Sequence, residues 1–77
     1  MKTIAIVKWF DKERGHGFCN EFCVIKGDVI SSNDVFIHYS DIESQGFKKL
    51  NKGELIKCSI VRTERGTQAR EITRFVK

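Results

Sequence analysis

The sequence has no apolar run long enough to cross a membrane. A spanning helix needs about 20 consecutive, mostly apolar residues, and no segment of this chain approaches that length. Residues 1–8 also lack the long apolar stretch and the small-residue cleavage site of a secretory signal. We therefore expect a protein that has no membrane partner and is located in the cytoplasm.

Proline is absent, and cysteine is both scarce and odd in number. Cys19, Cys23 and Cys58 cannot all pair within one chain, which indicates a reducing compartment such as the cytosol. There is no low-complexity tract and no internal repeat, and the 77 residues allow a single domain, 1–77. A domain of this size has no room for a deep catalytic cavity, so we expect a protein that is not an enzyme.

Positive charge is in excess. Lysine and arginine number 14 against 10 aspartate and glutamate residues, which gives a net charge of +4 and a pI of about 9.2. A basic surface suits a polyanionic partner such as nucleic acid. Net charge alone favours an ordinary basic protein over a nucleic-acid-binding one, so the partner has to be inferred from the motifs.

Apolar and aromatic residues come in five short runs, which are separated by charged or glycine-containing turns. The runs cover residues 4–10, 15–22, 34–39, 55–62 and 68–76. The fourth run alternates apolar and polar residues with the period of two that is typical of a strand. Five short strands with turns between them predict an all-β barrel or sandwich.

Aromatic and basic residues are concentrated in the first three runs. Because alternate side chains of a strand share a face, His16 and Phe18 point the same way, and so do Phe36 and His38. Exposed rings beside cations are typical of a surface on which nucleic-acid bases stack. The alternative is that such rings fill the core, and we assign that role to four apolar residues of the same runs: Val7, Phe10, Val35 and Ile37.

These runs resemble the motifs of the cold-shock domain family. Residues 8–11 (KWFD) are similar to the Lys-Trp-Phe-Asn opening of the family. Residues 14–19 (RGHGFC) and 34–40 (DVFIHYS) are similar to its two RNA-binding motifs, and 46–48 and 66–69 resemble further landmarks. The resemblance implies a five-stranded antiparallel OB-type barrel that binds single-stranded RNA and DNA on strands two and three.

The resemblance also implies a function and a set of site residues. The function is sequence-tolerant single-strand binding without a cofactor, as an ATP-independent RNA chaperone or transcription antiterminator in a stress response. The alternative is a small-barrel interaction module that docks an extended peptide on the same face. The implied contact residues are Lys8, Trp9, Asp11, Arg14, His16, Phe18, Phe36, His38, Tyr39, Phe47, Arg65 and Gln68.

Several positions depart from the family pattern. His16 replaces a stacking phenylalanine, Asp11 replaces an asparagine, and Cys19 and Cys58 stand where large apolar residues are usual. The connection 20–33 between strands two and three is longer than usual.

Within that connection, apolar runs flank Lys26-Gly27-Asp28, which predicts an insertion or an extended hairpin. The alternative is a disordered loop. We expect the apolar residues of the hairpin to fold back onto the barrel or to meet a partner, and Lys26 to lengthen the phosphate track. A monomer is expected, with a weak homodimer through 22–30 as the alternative.

Four residues have side chains that could ligate zinc: His16, Cys19, Cys23 and His38. Their spacing matches no strong zinc template, and His16 and Cys19 have opposite strand parity, so we expect no metal site. The cysteines also lack the orienting third group that nucleophilic catalysis needs. The glycine pair at 15 and 17 is too short to cradle a phosphate.

Overall fold

The computed structural model describes residues 2–30, 33–43 and 49–75. In these ranges the chain forms six strands and a single turn of 3-10 helix, but no α-helix. The elements are β1 (Thr3–Asp11), β2 (His16–Cys23), β3 (Asp28–Val29), β4 (Val35–His38), the 3-10 turn (Tyr39–Asp41), β5 (Leu55–Thr63) and β6 (Gly66–Arg74). No helix in the described ranges is long and apolar enough to cross a membrane.

Five of the strands close into a barrel. They are ordered β1-β5-β6-β4-β2, and a further pairing between β1 and β2 closes the ring. The predicted five-stranded OB-type barrel is therefore confirmed. One strand pair departs from the antiparallel pattern, because β4 and β6 run parallel where Phe36 meets Gln68. A parallel bridge between Ile42 and Ile72 lies further along β6. Parallel neighbours need a long connection, and β5 with its flanking loops supplies it here.

The interior of the barrel is small and apolar. Its buried residues are Ala5, Val7, Cys19, Val35, Ile37, Ile42, Leu50, Ile56, Cys58, Ala69 and Ile72. Phe10 and Ile60 are partly buried and pack against this cluster. No polar or charged residue is buried among the described residues, so the barrel is held together by apolar packing and by its backbone hydrogen bonds.

A bulge in β1 decides which way the tryptophan points. Val7 pairs with Cys19 and Trp9 pairs with Phe18, so Lys8 is an extra residue that has no partner on β2 in the register. Without it, strand alternation would turn Trp9 inward beside Val7. With it, Trp9 lies on the outer face, where its side chain is 39% exposed, and Phe10 packs against the core.

The connection after β2 forms a short hairpin outside the barrel. Phe22 pairs with Val29 and Cys23 with Asp28, and the Gly27 amide closes the turn by donating to the Cys23 carbonyl oxygen over 2.7 Å. Four apolar residues of the hairpin, at positions 24, 25, 29 and 30, do not fold back onto the barrel, whereas Phe22 is half-buried. Ile25 is 97% exposed, and Val24, Val29 and Ile30 are also exposed. This leaves an apolar surface beside β2.

The three cysteines differ in accessibility, which predicts a thiol count. Cys19 and Cys58 are fully buried, and a mutual hydrogen bond together with burial raises the pKa of the Cys19 thiol. Cys23 is half-buried on the hairpin. We expect 5,5′-dithiobis(2-nitrobenzoate) at pH ~8 to modify one thiol quickly, since the thiolate is the reacting form. The other two should react only as the barrel unfolds.

A Cys23→Ser variant provides the control, because it should lose the rapid phase and keep the two slow thiols. Two or more rapidly modified thiols in the folded wild type would show that the barrel interior is open to solvent.

Candidate functional site

An aromatic face lies on the outside of β2 and β4. The register places His16 opposite His38 and Phe18 opposite Phe36, so all four rings lie on one surface of the sheet. The Phe18 and Phe36 rings are 5.7 Å apart in an edge arrangement, and the His16 and Phe36 rings are stacked at 6.0 Å. Trp9 extends the face from β1, with its ring 5.4 Å from that of Phe18.

The same face ends on the 3-10 turn. The Tyr39 ring lies 4.7 Å from that of His38 and is half exposed. Nδ1 of His38 accepts a hydrogen bond from the Ser40 amide over 3.2 Å and lies 2.7 Å from the Ser40 hydroxyl. These contacts fix the orientation of the imidazole.

Gly15 provides the room for the tyrosine. A Cβ atom there would lie 2.6 Å from Tyr39 Cδ1, and the backbone of Gly15 has φ of 72°. The Tyr39 amide also donates to the Gly15 carbonyl oxygen over 2.8 Å. The glycine therefore lets the turn after β4 pack directly on the start of β2.

A polar group borders the face at its other end. The Lys8 ammonium lies 3.2 Å from the Asp34 carboxylate, and Nδ2 of Asn20 donates to the same carboxylate over 3.0 Å. The hydrogen bond from Asn20, followed by that from Lys8, lowers the pKa of Asp34. Asn20 and Asp34 were not among the predicted site residues. One indication of the position of Asn20 was present in the sequence: it lies two residues after Phe18 on the same strand, so the two side chains share the aromatic face.

Asp11 organises the turn between β1 and β2. Its carboxylate accepts from the backbone amides of Glu13 over 2.9 Å and Arg14 over 3.2 Å. The Arg14 backbone hydrogen bond, which is the largest cause, lowers the pKa of Asp11, and the Glu13 amide and the Arg14 charge act in the same direction. Arg14 Nε lies 3.8 Å from Asp11, and its side chain remains 77% exposed. The arginine is thus oriented by the aspartate and still open to a ligand.

A cavity of about 310 Å³ opens beside the phenylalanines. Its lining residues are Phe18, Asp34, Phe36, Thr63, Arg65, Gly66, Thr67 and Gln68. Nε2 of Gln68 donates to Asp41 over 2.7 Å, which fixes the amide at the edge of the cavity. The β5–β6 turn therefore brings a cation and an amide next to the two rings, as a base with its phosphate would require.

The structure brings most of the predicted site residues together. The aromatic face, by which we mean Trp9, His16, Phe18, Phe36, His38 and Tyr39, is continuous. Lys8 lies at one border of this face, and Arg65 and Gln68 line the cavity at another. Asp11 and Arg14 lie in the neighbouring turn, while Phe47 lies outside the described residues.

The candidate zinc ligands are divided between two environments. His16 and His38 are on the outer face, whereas Cys19 is fully buried in the barrel interior. Within the described ranges there is no group of three histidine, cysteine or acidic side chains that could hold a metal ion.

The chain matches a family model described as the 'cold-shock' DNA-binding domain over residues 3–75. It is 41% identical over 69 residues to the cold shock-like protein CspLB of Listeria monocytogenes, a match that covers 90% of this chain and 92% of that protein. It is 40% identical over 75 residues to the major cold shock protein CspA of Bacillus cereus, covering 97% of this chain and 100% of that protein.

The fold is also similar to a solved structure. The structure described as drosophila Unr CSD456 superposes with a TM-score of 0.72, and the match covers 99% of this chain and 27% of that one. Sequence identity is 13%, so this likeness concerns the fold alone.

Proposed function

The chain belongs to the cold-shock DNA-binding domain family, and from that premise we propose that it binds single-stranded RNA and DNA by stacking bases on the aromatic face. Members of this family bind nucleic acid. The observation that carries the proposal is the continuity of the face, since the rings of Trp9, Phe18 and Phe36 follow one another at 5.4 and 5.7 Å.

The aromatic face suits single strands rather than duplexes. Bases of a duplex are already stacked and paired, whereas unpaired bases can lie on exposed rings. Every base has a π-face, so stacking tolerates many sequences. Lys8, Arg14 and Arg65 surround the rings with positive charge and support contacts with the phosphates. We therefore expect modest sequence preference.

We further propose that the protein acts as an RNA chaperone or antiterminator without ATP. A protein that binds only the open strand shifts the equilibrium of an RNA hairpin by mass action. Antitermination follows from the same equilibrium, because an RNA hairpin that would stop transcription is opened when the protein binds its unpaired strand. Neither role requires a nucleotide hydrolysis site.

A molecular-beacon assay tests the chaperone proposal. We expect saturating protein to open a beacon with a marginally stable RNA stem in the absence of ATP, and added ATP to change nothing. A matched control is Lys57→Gln, which removes an exposed positive charge on β5, outside the aromatic face; it should open the beacon almost as well as wild type. A requirement for ATP, or no opening at saturation, contradicts the chaperone role.

Salt dependence separates this proposal from the docking of an extended peptide. Phosphate contacts release counterions, so the affinity for a single strand should fall with salt by a log–log slope of about −0.7 per contact. A peptide held by apolar side chains would show little such dependence. A salt-independent affinity for oligothymidine would favour the peptide-binding alternative.

A further inference from the structure

We propose that the β2–β3 hairpin carries an additional subsite for one base of the same single strand, formed by Phe22 and Val29. This inference rests on the proposed single-strand binding and names a further part of the protein that takes part in it. The subsite lies outside the aromatic face, on the connection 20–33 that is longer than is usual in the family.

The register of β2 places Phe22 on the same side as the aromatic face. Every second residue of β2 points to the same face, and the residues on this face are His16, Phe18, Asn20 and Phe22. The extra residue of the bulge belongs to β1, at Lys8, so the alternation of β2 is not broken. Phe22 pairs directly with Val29, and a directly opposed pair shares a face. Val29 is 48% exposed and Phe22 is half-buried.

The distance along the strand makes this a separate subsite. Four residues of extended chain between Phe18 and Phe22 span roughly 13 Å, so one base cannot cover both rings. The polar group of Lys8, Asn20 and Asp34 lies between them. Nδ2 of Asn20 also donates to the Asn33 carbonyl oxygen over 3.1 Å, which ties the two sides of the hairpin together at its base.

The charges on the hairpin indicate which of its faces a polyanion would follow. Cys23 and Asp28 form a directly opposed pair, and Glu21 has the same strand parity as Cys23. Both acidic side chains of the hairpin therefore lie on the face opposite to Phe22 and Val29. Within the hairpin itself, the face in line with the aromatic residues has an apolar pair and no carboxylate, and Lys26 lies at the tip. The Asp34 carboxylate at the base of this face is paired with Lys8 over 3.2 Å. An unpaired base on Phe22 thus keeps its phosphate away from Glu21 and Asp28.

Oligonucleotide length provides the test. We use two fluorescently labelled oligothymidines, one of about 4 nucleotides and one of about 10, within the range of site sizes known for OB folds. Phe22→Ala should weaken binding of the longer one roughly 5- to 150-fold, as expected for the loss of one stacked base. It should leave the affinity for the shorter one unchanged within about twofold, because that strand is held by the aromatic face alone.

Two further variants make the test specific. Ile30→Ala also removes an exposed apolar side chain from the hairpin. The Ile30 amide donates to the Glu21 carbonyl oxygen over 2.8 Å, which places this residue opposite Glu21 and not on the face of Phe22, so the variant should bind both oligonucleotides like wild type. Phe22→Leu keeps apolar volume and loses the ring, and should behave like Phe22→Ala. Phe22→Leu also replaces Phe22→Ala if the alanine variant does not fold.

Three outcomes overturn the proposal. One is a Phe22 variant that binds the longer strand like wild type, and another is an equal loss for both lengths in a folded protein. The third is sedimentation that shows a dimer abolished by Val29→Asp, which would make the patch an interface between two copies. Failure of the proposed function is recognised separately, because wild type would then bind neither oligonucleotide.

Discussion

Replacing Phe18 and Phe36 with alanine together is expected to weaken binding of an oligothymidine by roughly 2–6 kcal/mol, since each stacked base contributes about 1–3 kcal/mol. The two rings are 5.7 Å apart, so each supports a neighbouring part of the same face. Both side chains lie on the outer face and neither belongs to the buried core. The double variant should therefore remain folded while losing most of its affinity.

Fluorescence of Trp9 provides the measurement, since it is the only tryptophan in the chain and its ring is 5.4 Å from that of Phe18. A titration at two salt concentrations gives the affinity of each variant, and a thermal melt shows whether the fold is intact. The matched control is Val24→Ala with Ile25→Ala, which removes two exposed apolar side chains from the hairpin turn. Unchanged affinity in the Phe18 and Phe36 double variant would mean that bases do not stack on this face.

Gly17→Ala is expected to destabilise the barrel by about 3 kcal/mol or more, at the upper end of what overpacking costs. A Cβ atom on Gly17 would lie 2.7 Å from Phe10 Cα and would also clash with the Trp9 carbonyl oxygen. These are backbone atoms of β1, which cannot rotate away as a side chain could. With a shift of about 4–8 °C per kcal/mol for a domain of this size, the melting temperature should fall by roughly 12–24 °C.

Gly27→Ala is the matched control for this substitution. An added Cβ at Gly27 meets no atom within 4 Å, but the residue has φ of 72°. Alanine there should therefore lower the free energy of unfolding only through its unfavourable left-handed backbone conformation, by about 1–2 kcal/mol. Urea unfolding of both variants, followed by Trp9 fluorescence, compares the two. If Gly17→Ala is no less stable than Gly27→Ala, then close contact between β1 and β2 is not what requires glycine at position 17.

Local alternation was enough to predict which rings of one strand share a face, but the meeting of the two pairs of rings depends on the pairing of β2 with β4. His16 and Phe18 share a face because they are two residues apart, and the same holds for Phe36 and His38. The placement of Trp9 could not be predicted in this way. Its direction depends on the bulge at Lys8, which is settled by how β1 pairs with β2 and β5 when the barrel closes. A strict period of two would have placed Trp9 in the core.

Strand alternation also fails to predict which residues of the last strand are buried. The expected strand 68–76 corresponds to β6, Gly66–Arg74, and the register between β5 and β6 shifts next to Cys58. Glu71 has φ of 53° at this shift, and both Ala69 and Ile72 are buried although they are three positions apart in the sequence. Alternation cannot produce that spacing. The Asn20–Asp34 contact could not be predicted from the sequence either, because it joins two residues that are 14 positions apart, at the two ends of the 20–33 connection.

The pairing order of the barrel has a consequence for how the chain reaches its folded state. Strands β1, β2 and β4 join through nearby pairings, and β5 and β6 form a hairpin of their own. Among the described strands, two pairings join these halves, β1 with β5 and β4 with β6, and both link distant parts of the sequence, as in the pair Thr3 and Cys58. Closing such long loops costs chain entropy before any burial is gained, and topologies of high contact order fold slowly for that reason. We therefore expect the docking of the two halves to limit the folding rate. The aromatic face lies entirely in one of them, on β1, β2, β4 and the 3-10 turn.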